Sequence, residues 1–183
     1  MVWSANPVTQ QSLEQTPISG AIPVTSAPYA GLSIVNDGGN KLDYYLDRSV
    51  VWTREGCGLN GTVTAAVTLT NNAPAHLPAY VTDRSDIHGP GVKPGDNRLM
   101  VSWYATSGAG MQSVTVNGKA VGAHFGTERG HPVFTVDLEL PRGATRTVVF
   151  HLTEPTLHDT PVTVLQQPLV RPMAFRVEDH ACQ

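Results

Sequence analysis

Hydrophobic and polar residues alternate with a period of two along much of this 183-residue chain. The clearest run is GTVTAAVTLTN at positions 61–71, where aliphatic side chains alternate with threonines. The aliphatic set is Val63, Ala65, Val67 and Leu69, and the polar set is Thr62, Thr64, Thr68 and Thr70. This period places the two sets on opposite faces of a strand, so the run predicts a half-buried β-strand whose aliphatic face joins the core.

The same pattern predicts further strands at 42–52, 98–105, 114–116, 121–125, 134–140 and 147–153, and shorter ones at 32–35, 79–82, 162–165 and 175–177. Asn117-Gly118 is a strong hairpin signal between two of them. Trp103 lies in phase with Leu99 and Val101, which predicts a core position. Short strands with regularly spaced turns favour an all-β, immunoglobulin-like antiparallel β-sandwich, with an up-and-down β-barrel as the alternative.

The first 36 residues differ from the rest of the chain. Asn6 followed by Pro7 is a good start for a short helix over 8–15, and 18–28 is rich in Pro, Ser and Ala, which is typical of an irregular connector. The opening MVWS lacks the basic and apolar parts of a signal peptide. We therefore assign residues 1–36 to the tail of a preceding domain and residues 37–183 to the sandwich.

Charge and hydropathy exclude two classes of contact. The net charge is −3, and the nine Arg and three Lys are scattered, without the basic stripe that nucleic acid requires. No apolar run approaches the roughly 20 residues of a membrane helix. We expect no nucleic-acid partner, and no membrane contact except through an anchor outside this chain.

Two cysteines lie far apart in the sequence. Cys57 sits in a Gly-Cys-Gly turn before the threonine-rich strand, and Cys182 lies near the C-terminus. A disulfide between them would join the C-terminus to the domain and contribute about 4 to 5 kcal/mol in the chain-entropy model. Two unrelated thiols are the alternative. We favour the disulfide because an exposed terminal thiol is a liability in a secreted protein.

The longest irregular stretch in the β region is the loop DRSDIHGPGVKPGDN at 83–97. Its candidate ligand-contact residues are Asp83, Asp86, His88 and Asp96, since loops on rigid scaffolds often carry function. Their spacing matches no calcium-loop motif, and Asp and Asn also form turns, so a solvated loop is the alternative. The seven histidines form no local ligand pair. We expect no metal and no cofactor.

The remaining candidate chemistry is aromatic. Tyr45 and Tyr104 are the candidate platform for a sugar, because both are expected to face away from the core. A Gly-x-Ser-x-Gly motif is absent and both cysteines are assigned to structure, so we predict no catalytic residue. The fifteen acidic residues allow many carboxylate pairs but single out none.

Several stretches together carry a resemblance to known proteins: VWSANP at 2–7 with Gln10, GGNKLDYYL at 38–46, VTLTNNAP at 67–74, LPAYV at 77–81, and QPLV at 167–170 with Cys182. They resemble the C-terminal part of actinobacterial membrane-anchored envelope proteins that contain a domain of unknown function (number four thousand and twelve). The resemblance implies an exported protein held at the cell surface by an N-terminal membrane helix. It brings no known activity and no catalytic residues.

We therefore expect a non-catalytic, extracytoplasmic interaction or spacer module of a cell-envelope protein. Its partner would be an envelope protein or glycan. The alternative is a carbohydrate-binding module, or an enzyme that processes envelope carbohydrate or peptide, using the 83–97 loop.

Overall fold

β-Strands make up most of this chain. The computed structural model describes residues 2–86, 91–156 and 160–182. Its helices are α1 (Pro7–Glu14) and α2 (Ala79–Thr82), with short 3₁₀ helices at Pro17–Ser19 and Leu42–Tyr45. Its strands are β1 (Tyr29–Asn36), β2 (Leu46–Gly56), β3 (Gly58–Asn71), β4 (Asn97–Tyr104), β5 (Gly110–Val116), β6 (Lys119–Ala120), β7 (His124–Glu128), β8 (His131–Leu140), β9 (Thr145–Thr156), β10 (Thr163–Gln166) and β11 (Ala174–Ala181).

The strands form two open sheets. The five-stranded sheet has the order β10-β1-β4-β8-β7, and the six-stranded sheet has the order β11-β2-β3-β9-β5-β6. Neighbours are antiparallel except at one edge of each sheet, where β10 runs parallel to β1 and β11 parallel to β2. Neither sheet closes on itself within the described ranges. The predicted all-β sandwich is therefore confirmed over the barrel alternative, with two parallel edges that the antiparallel prediction did not include.

One hydrophobic core lies between the two sheets. Trp103 of β4 stacks on Phe150 of β9 across the interface, with ring centroids 6.3 Å apart. The four aliphatic residues of β3 and Trp103 are all buried, as their alternation predicted. On the outer face of the six-stranded sheet, Thr68 and Thr147 share a hydrogen bond of 3.0 Å between their hydroxyls. The threonines of β3 thus support the sheet from its polar side.

The segment just before β2 was predicted as part of that strand, and this prediction is wrong. Leu42–Tyr45 forms a 3₁₀ helix, and β2 begins only at Leu46. Asn40 Oδ1 accepts a hydrogen bond from the Leu42 N–H at 3.2 Å, which favours a turn over an extended chain. Leu42 is buried in this conformation, so the apolar residue reaches the interior without strand geometry.

The predicted strand at 79–82 is instead the single helical turn α2. The Asp83 N–H donates to the Ala79 carbonyl at 2.8 Å, which closes the turn. Pro78 precedes it with an extended backbone. The Lys41 N–H donates to the Val81 carbonyl at 3.0 Å, so the turn is fixed against the 3₁₀ helix before β2.

The sandwich begins at Tyr29, before the predicted boundary at residue 37. β1 lies between β10 and β4, and its Leu32 and Ile34 belong to the hydrophobic core. The irregular connector therefore ends where β1 starts, and the 29–36 segment belongs to the sandwich.

The short helix predicted near the N-terminus is confirmed as α1. Asn6 Oδ1 accepts hydrogen bonds from the Val8 and Thr9 N–H groups at 3.0 and 3.2 Å, which is a standard helix start. No residue of α1 is buried. Its Glu14 forms an ion pair of 3.6 Å with Arg129 in the turn between β7 and β8. Among the described residues, no helix is both long and apolar enough to cross a membrane.

A disulfide and an ion pair hold β11 beside β2. Cys57 and Cys182 are bonded, as the sequence predicted. The parallel pairing runs from Ala174 opposite Ser49 to Ala181 opposite Gly56. The Arg54 guanidinium, 3% exposed, donates to both carboxylate oxygens of Asp179. The C-terminal strand is thus fixed covalently and electrostatically.

Candidate functional site

Arg84 fixes the first half of the 83–97 loop to the five-stranded sheet. Its side chain is 2% exposed and binds Asp86 through Nε and Nη2 at 2.8 and 2.6 Å. It also binds Glu139 of β8 through Nη1 and Nη2 at 2.6 and 3.1 Å. Both contacts are bidentate and charge-assisted, so they define the loop geometry more firmly than single-bonded surface pairs.

A second arginine extends this network along β4. Arg98 lies 3.1 Å from Asp37 and 3.3 Å from Asp86. The pKa of Asp86 lies well below its usual range, mainly because Arg84 donates hydrogen bonds to its carboxylate. Hydrogen bonds to Asp86 and Glu139 raise the pKa of Arg84 in turn. Asp86 is therefore an ionised carboxylate that already has partners at neutral pH.

Two buried asparagines fix the second half of the loop. Asn71, 2% exposed, donates through Nδ2 to the Gly95 carbonyl at 2.9 Å and to a carbonyl of β8. Asn40 donates to the backbone carbonyl of Asp96 at 3.1 Å. Gly95 has a φ of +95°, and a Cβ at this position would overlap the Arg142 guanidinium. The positive φ therefore favours glycine here, whereas the flexible end of the Arg142 side chain could move.

A shallow surface groove of about 730 Å³ lies between the loop and the β8–β9 turn, lined by Gly91, Lys93, Pro94, Asp96, Pro141 and Arg142. The Asp96 carboxylate accepts hydrogen bonds from the backbone N–H groups of Lys93 and Arg142 at 3.3 and 3.1 Å. These two hydrogen bonds join the loop to the β8–β9 turn and so fix one wall of the groove. Lys93 and Arg142 are exposed and place two cations at the rim, so the groove suits a polar or anionic group better than a cation.

The predicted acidic contact residues do not converge on one point. Asp83 is exposed and accepts a hydrogen bond from the Thr82 hydroxyl at 3.3 Å. Asp86 pairs with arginines, whereas Asp96 binds backbone N–H groups of the groove. His88 lies outside the described residues. In the part of the chain that the structure describes, no group of three or more His, Cys, Asp or Glu could hold a metal ion.

The two tyrosines of the predicted platform lie at different ends of the sandwich. Tyr45 belongs to the 3₁₀ helix whose Asp43 accepts a hydrogen bond from Asn36, at the last position of β1. Tyr104 is the last residue of β4. In the ladder between β1 and β4 it lies at the end opposite to Asn36. Its hydroxyl donates to Glu128 at 2.8 Å, and burial together with this bond raises the pKa of Tyr104 to about 12. The structure does not bring the two rings together.

Two exposed tyrosines lie on the short helical turns, Tyr44 before β2 and Tyr80 in α2 just before the 83–97 loop. Tyr44 is 56% exposed and Tyr80 is 72% exposed. The Lys41 ammonium lies 6.0 Å from the centroid of the Tyr80 ring. The alternation predicted that Tyr44 faces the core. Because Leu42–Tyr45 is a 3₁₀ helix and not a strand, the side chain is exposed instead. The Tyr44 ring contacts that of Tyr45 edge-on, with centroids 5.1 Å apart.

Glu154 of β9 is a buried acid with an unusual environment. It is 1% exposed and accepts a hydrogen bond from the Thr106 hydroxyl. Burial raises its pKa to about 7, against the opposing effects of Thr106 and Arg54. A shifted pKa is a frequent mark of functional sites, but this carboxyl is enclosed by protein and out of reach of a surface ligand.

Comparisons with known proteins give no family for this chain. No family model and no curated protein matches it. Among solved structures, a protein of Legionella pneumophila with a suggested role in nutrient binding has 13% sequence identity and a TM-score of 0.39, over 70% of this chain and 44% of that one. An M1 zinc metallopeptidase of Deinococcus radiodurans has 16% identity and a TM-score of 0.28, over 63% of this chain and 22% of the peptidase. Similarities at this level support no function.

Proposed function

We propose that this chain is a non-catalytic interaction module of an exported cell-envelope protein, and that the groove beside the 83–97 loop contacts an envelope glycan or protein. The observation that carries this proposal is the way the loop is fixed. Arg84 and two buried asparagines hold its described parts, 83–86 and 91–97, on the sandwich. Lys93 and Arg142 are exposed at the rim, and Arg142 also donates a hydrogen bond to the Pro94 carbonyl. A binding surface that is already ordered loses less conformational entropy when a partner binds.

Two further observations support the extracytoplasmic setting. The Cys57–Cys182 disulfide is typical of proteins exported to an oxidising compartment. The resemblance to actinobacterial envelope proteins points to the same compartment, with the membrane anchor outside this chain. The cell surface is therefore the proposed location.

An enzyme acting on envelope carbohydrate or peptide is the competing hypothesis. It would use Asp83, Asp86 or His88 as acid or base. A general acid or base works best when its pKa lies near the operating pH. Arg84 does the opposite to Asp86, since it lowers the pKa of that carboxyl. The interaction role is for this reason the better supported of the two.

Sedimentation with purified actinobacterial cell-wall glycan tests the proposal. We expect the intact chain to sediment with the glycan and a Lys93→Ala/Arg142→Ala variant to bind at least about tenfold more weakly, a loss of about 1.4 kcal/mol. Lys119→Ala is the matched control, because Lys119 is an exposed cation on β6, outside the groove. Thermal unfolding establishes that each variant is folded.

A parallel capture from envelope protein extract distinguishes the two partner classes. Binding to protein but not glycan, with the same dependence on Lys93 and Arg142, would identify a protein partner. Equal binding by the groove variant and the wild type would refute the groove as the contact surface. Retention of neither material would leave only a spacer role.

A further inference from the structure

His131, the first residue of β8, is fully buried and lies between two backbone carbonyls. Its Nδ1 is 2.9 Å from the carbonyl oxygen of Ala105, which follows β4, and its Nε2 is 2.9 Å from that of Pro23. Pro23 belongs to the irregular connector, residues 18–28, which leads from α1 to β1. The imidazole therefore has a backbone oxygen of the sandwich on one side and a backbone oxygen of the connector on the other.

A neutral imidazole cannot bond both oxygens. It carries one N–H donor and one lone pair, whereas a protonated ring carries two N–H donors. A carbonyl oxygen only accepts hydrogen bonds, so the bare nitrogen of a neutral ring would place its lone pair against an oxygen 2.9 Å away. Both contacts of His131 are therefore favourable only when its ring is protonated.

The two oxygens differ in what they lose when the ring is neutral. Ala105 is fully buried, and a buried carbonyl without a donor costs the free energy of its lost hydration. Pro23 is exposed, so water can replace the ring at its carbonyl. The single N–H of the neutral ring therefore stays with Ala105, and the contact that breaks is the one with the connector.

We propose that His131 is a pH-sensitive latch for the connector. Protonation of the imidazole attaches the connector to the sandwich at Pro23, and loss of the proton releases it. Histidine is the side chain whose charge ordinarily changes between about pH 5 and 8. The latch is therefore closed at the acid end of this range and opens as the pH rises.

Two groups beside His131 favour its charged form. Tyr29 of β1 stacks on the imidazole with ring centroids 4.0 Å apart, and the face of a tyrosine attracts a cation at this distance. Burial raises the pKa of Tyr29 to about 12, so this ring stays neutral across the range. Glu128 lies opposite His131 in the β7–β8 ladder and accepts a hydrogen bond from the Tyr104 hydroxyl at 2.8 Å, which places a carboxylate on the neighbouring strand.

Two other titratable or charged groups lie near the latch, whereas the connector itself, ISGAIPVTSAP, has no charged residue. Arg129, in the turn before β8, forms an ion pair of 3.6 Å with Glu14 of α1, which offsets its charge. Glu154 of β9 accepts a hydrogen bond from the Thr106 hydroxyl, which accepts one from the Tyr29 N–H at 3.0 Å. Burial raises the pKa of Glu154 to about 7, so this carboxyl titrates in the same range.

His131 and the connector lie outside the groove beside the 83–97 loop, so the latch is independent of the proposed function. Hydrogen exchange of the whole chain at pH 5 and pH 8, corrected for intrinsic rates and read by mass spectrometry, tests it. Relative to β3, we expect residues 20–27 to be at least about fivefold more protected at pH 5, which corresponds to about one net hydrogen bond. Equal protection of the connector at both pH values would overturn the proposal.

Two variants identify the group that titrates. His131→Phe keeps a ring on Tyr29 but has no donor, so its connector should be equally unprotected at both pH values. Glu154→Gln removes the other group that titrates in this range, and its connector should keep the wild-type difference. A pH difference that persists in His131→Phe, or disappears in Glu154→Gln, would assign the effect to another group and overturn the latch.

The protonation state of the ring can be measured in the unaltered chain. Nitrogen NMR with ¹⁵N-labelled histidine separates protonated from bare ring nitrogens, and a His131→Gln variant assigns the signals. We expect both nitrogens of His131 to carry protons at pH 5 and only Nδ1 at pH 8. A ring that is neutral at pH 5 while the connector is protected would contradict the proposal.

Discussion

At the scale of single residues, two buried arginines of this sandwich have carboxylate partners. Arg84 binds Asp86 and Glu139, and Arg54 binds Asp179. Burial is the largest influence on Glu154 and raises its pKa to about 7. Desolvation of a carboxylate disfavours its charged form, so the stability of this protein should depend on the protonation of Glu154.

Glu154→Gln should remove that dependence. The folded-state pKa lies above the ordinary value of 4.5, so the stability linked to protonation is full below about pH 4.5 and is lost as pH rises through about 7. We expect the variant to exceed the wild type in free energy of unfolding at pH 8, by up to about 3 kcal/mol, and to differ less at pH 5. Urea unfolding at both pH values measures this.

Glu55→Gln is the matched control for that measurement, because Glu55 is an exposed acid on β2. It should leave the pH dependence of the wild type in place. The same pH dependence in Glu154→Gln as in the wild type would show that Glu154 is not the responsible group.

At the scale of elements, the sequence predicted strands well wherever local signals agreed. β3 combines strict alternation with strand-forming Val and Thr, and its core face is as expected. The Leu42–Tyr45 segment also alternates, yet the side chain of Asn40 stabilises a turn instead. Alternation over so few residues cannot separate a strand from a 3₁₀ helix that buries one leucine.

The candidate site was less predictable because its geometry depends on distant residues. The loop was recognisable from its turn-forming residues, but its described parts are held by Glu139 and Asn71, which lie on β8 and β3. Arg84 has no distinguishing local pattern. The parallel edges were likewise invisible in the sequence, since β10 and β11 pair with β1 and β2 from the other end of the chain.

Replacing both Cys57 and Cys182 by serine tests what the disulfide contributes to β11. The bond closes a separation of 125 residues, so the chain-entropy model predicts a loss of about 5 kcal/mol in the free energy of unfolding. We expect faster hydrogen exchange in Ala174–Ala181 and unchanged protection in β3. Measurement combines urea unfolding with hydrogen exchange read by mass spectrometry.

The Arg54–Asp179 ion pair provides the comparison for that experiment. Asp179→Asn weakens the electrostatic contact and leaves the disulfide in place, so β11 should stay more protected than in the double serine variant. If the double serine variant retains wild-type exchange in β11, the parallel ladder alone fixes the strand.

At the scale of the whole molecule, His131 joins the N-terminal connector to the sandwich. It is fully buried and stacks on Tyr29 with ring centroids 4.0 Å apart. Both ring nitrogens lie 2.9 Å from carbonyl oxygens, one of Ala105 and one of Pro23. A single side chain therefore contacts β1, the end of β4 and the connector.

His131→Phe should release the connector while preserving the ring stack. The variant loses the contacts of both ring nitrogens with backbone carbonyls, including the hydrogen bond from the ring N–H. This should lower the free energy of unfolding by about 1 to 3 kcal/mol and expose residues 18–28 to protease. Limited proteolysis with mass analysis of the fragments measures this. His151→Phe on the outer face of β9 is the control, and equal cleavage of the two variants would contradict the role of His131.

The parallel pairing of β11 with β2 also sets an order of events during synthesis. β2 and β3 can form a hairpin early, but Cys57 meets Cys182 only after 125 further residues have followed. At roughly 5 to 20 residues per second this interval is about 6 to 25 s. Throughout it, one edge of β2 is open and one thiol is free. Closure of the disulfide therefore requires that the chain has been made as far as Cys182.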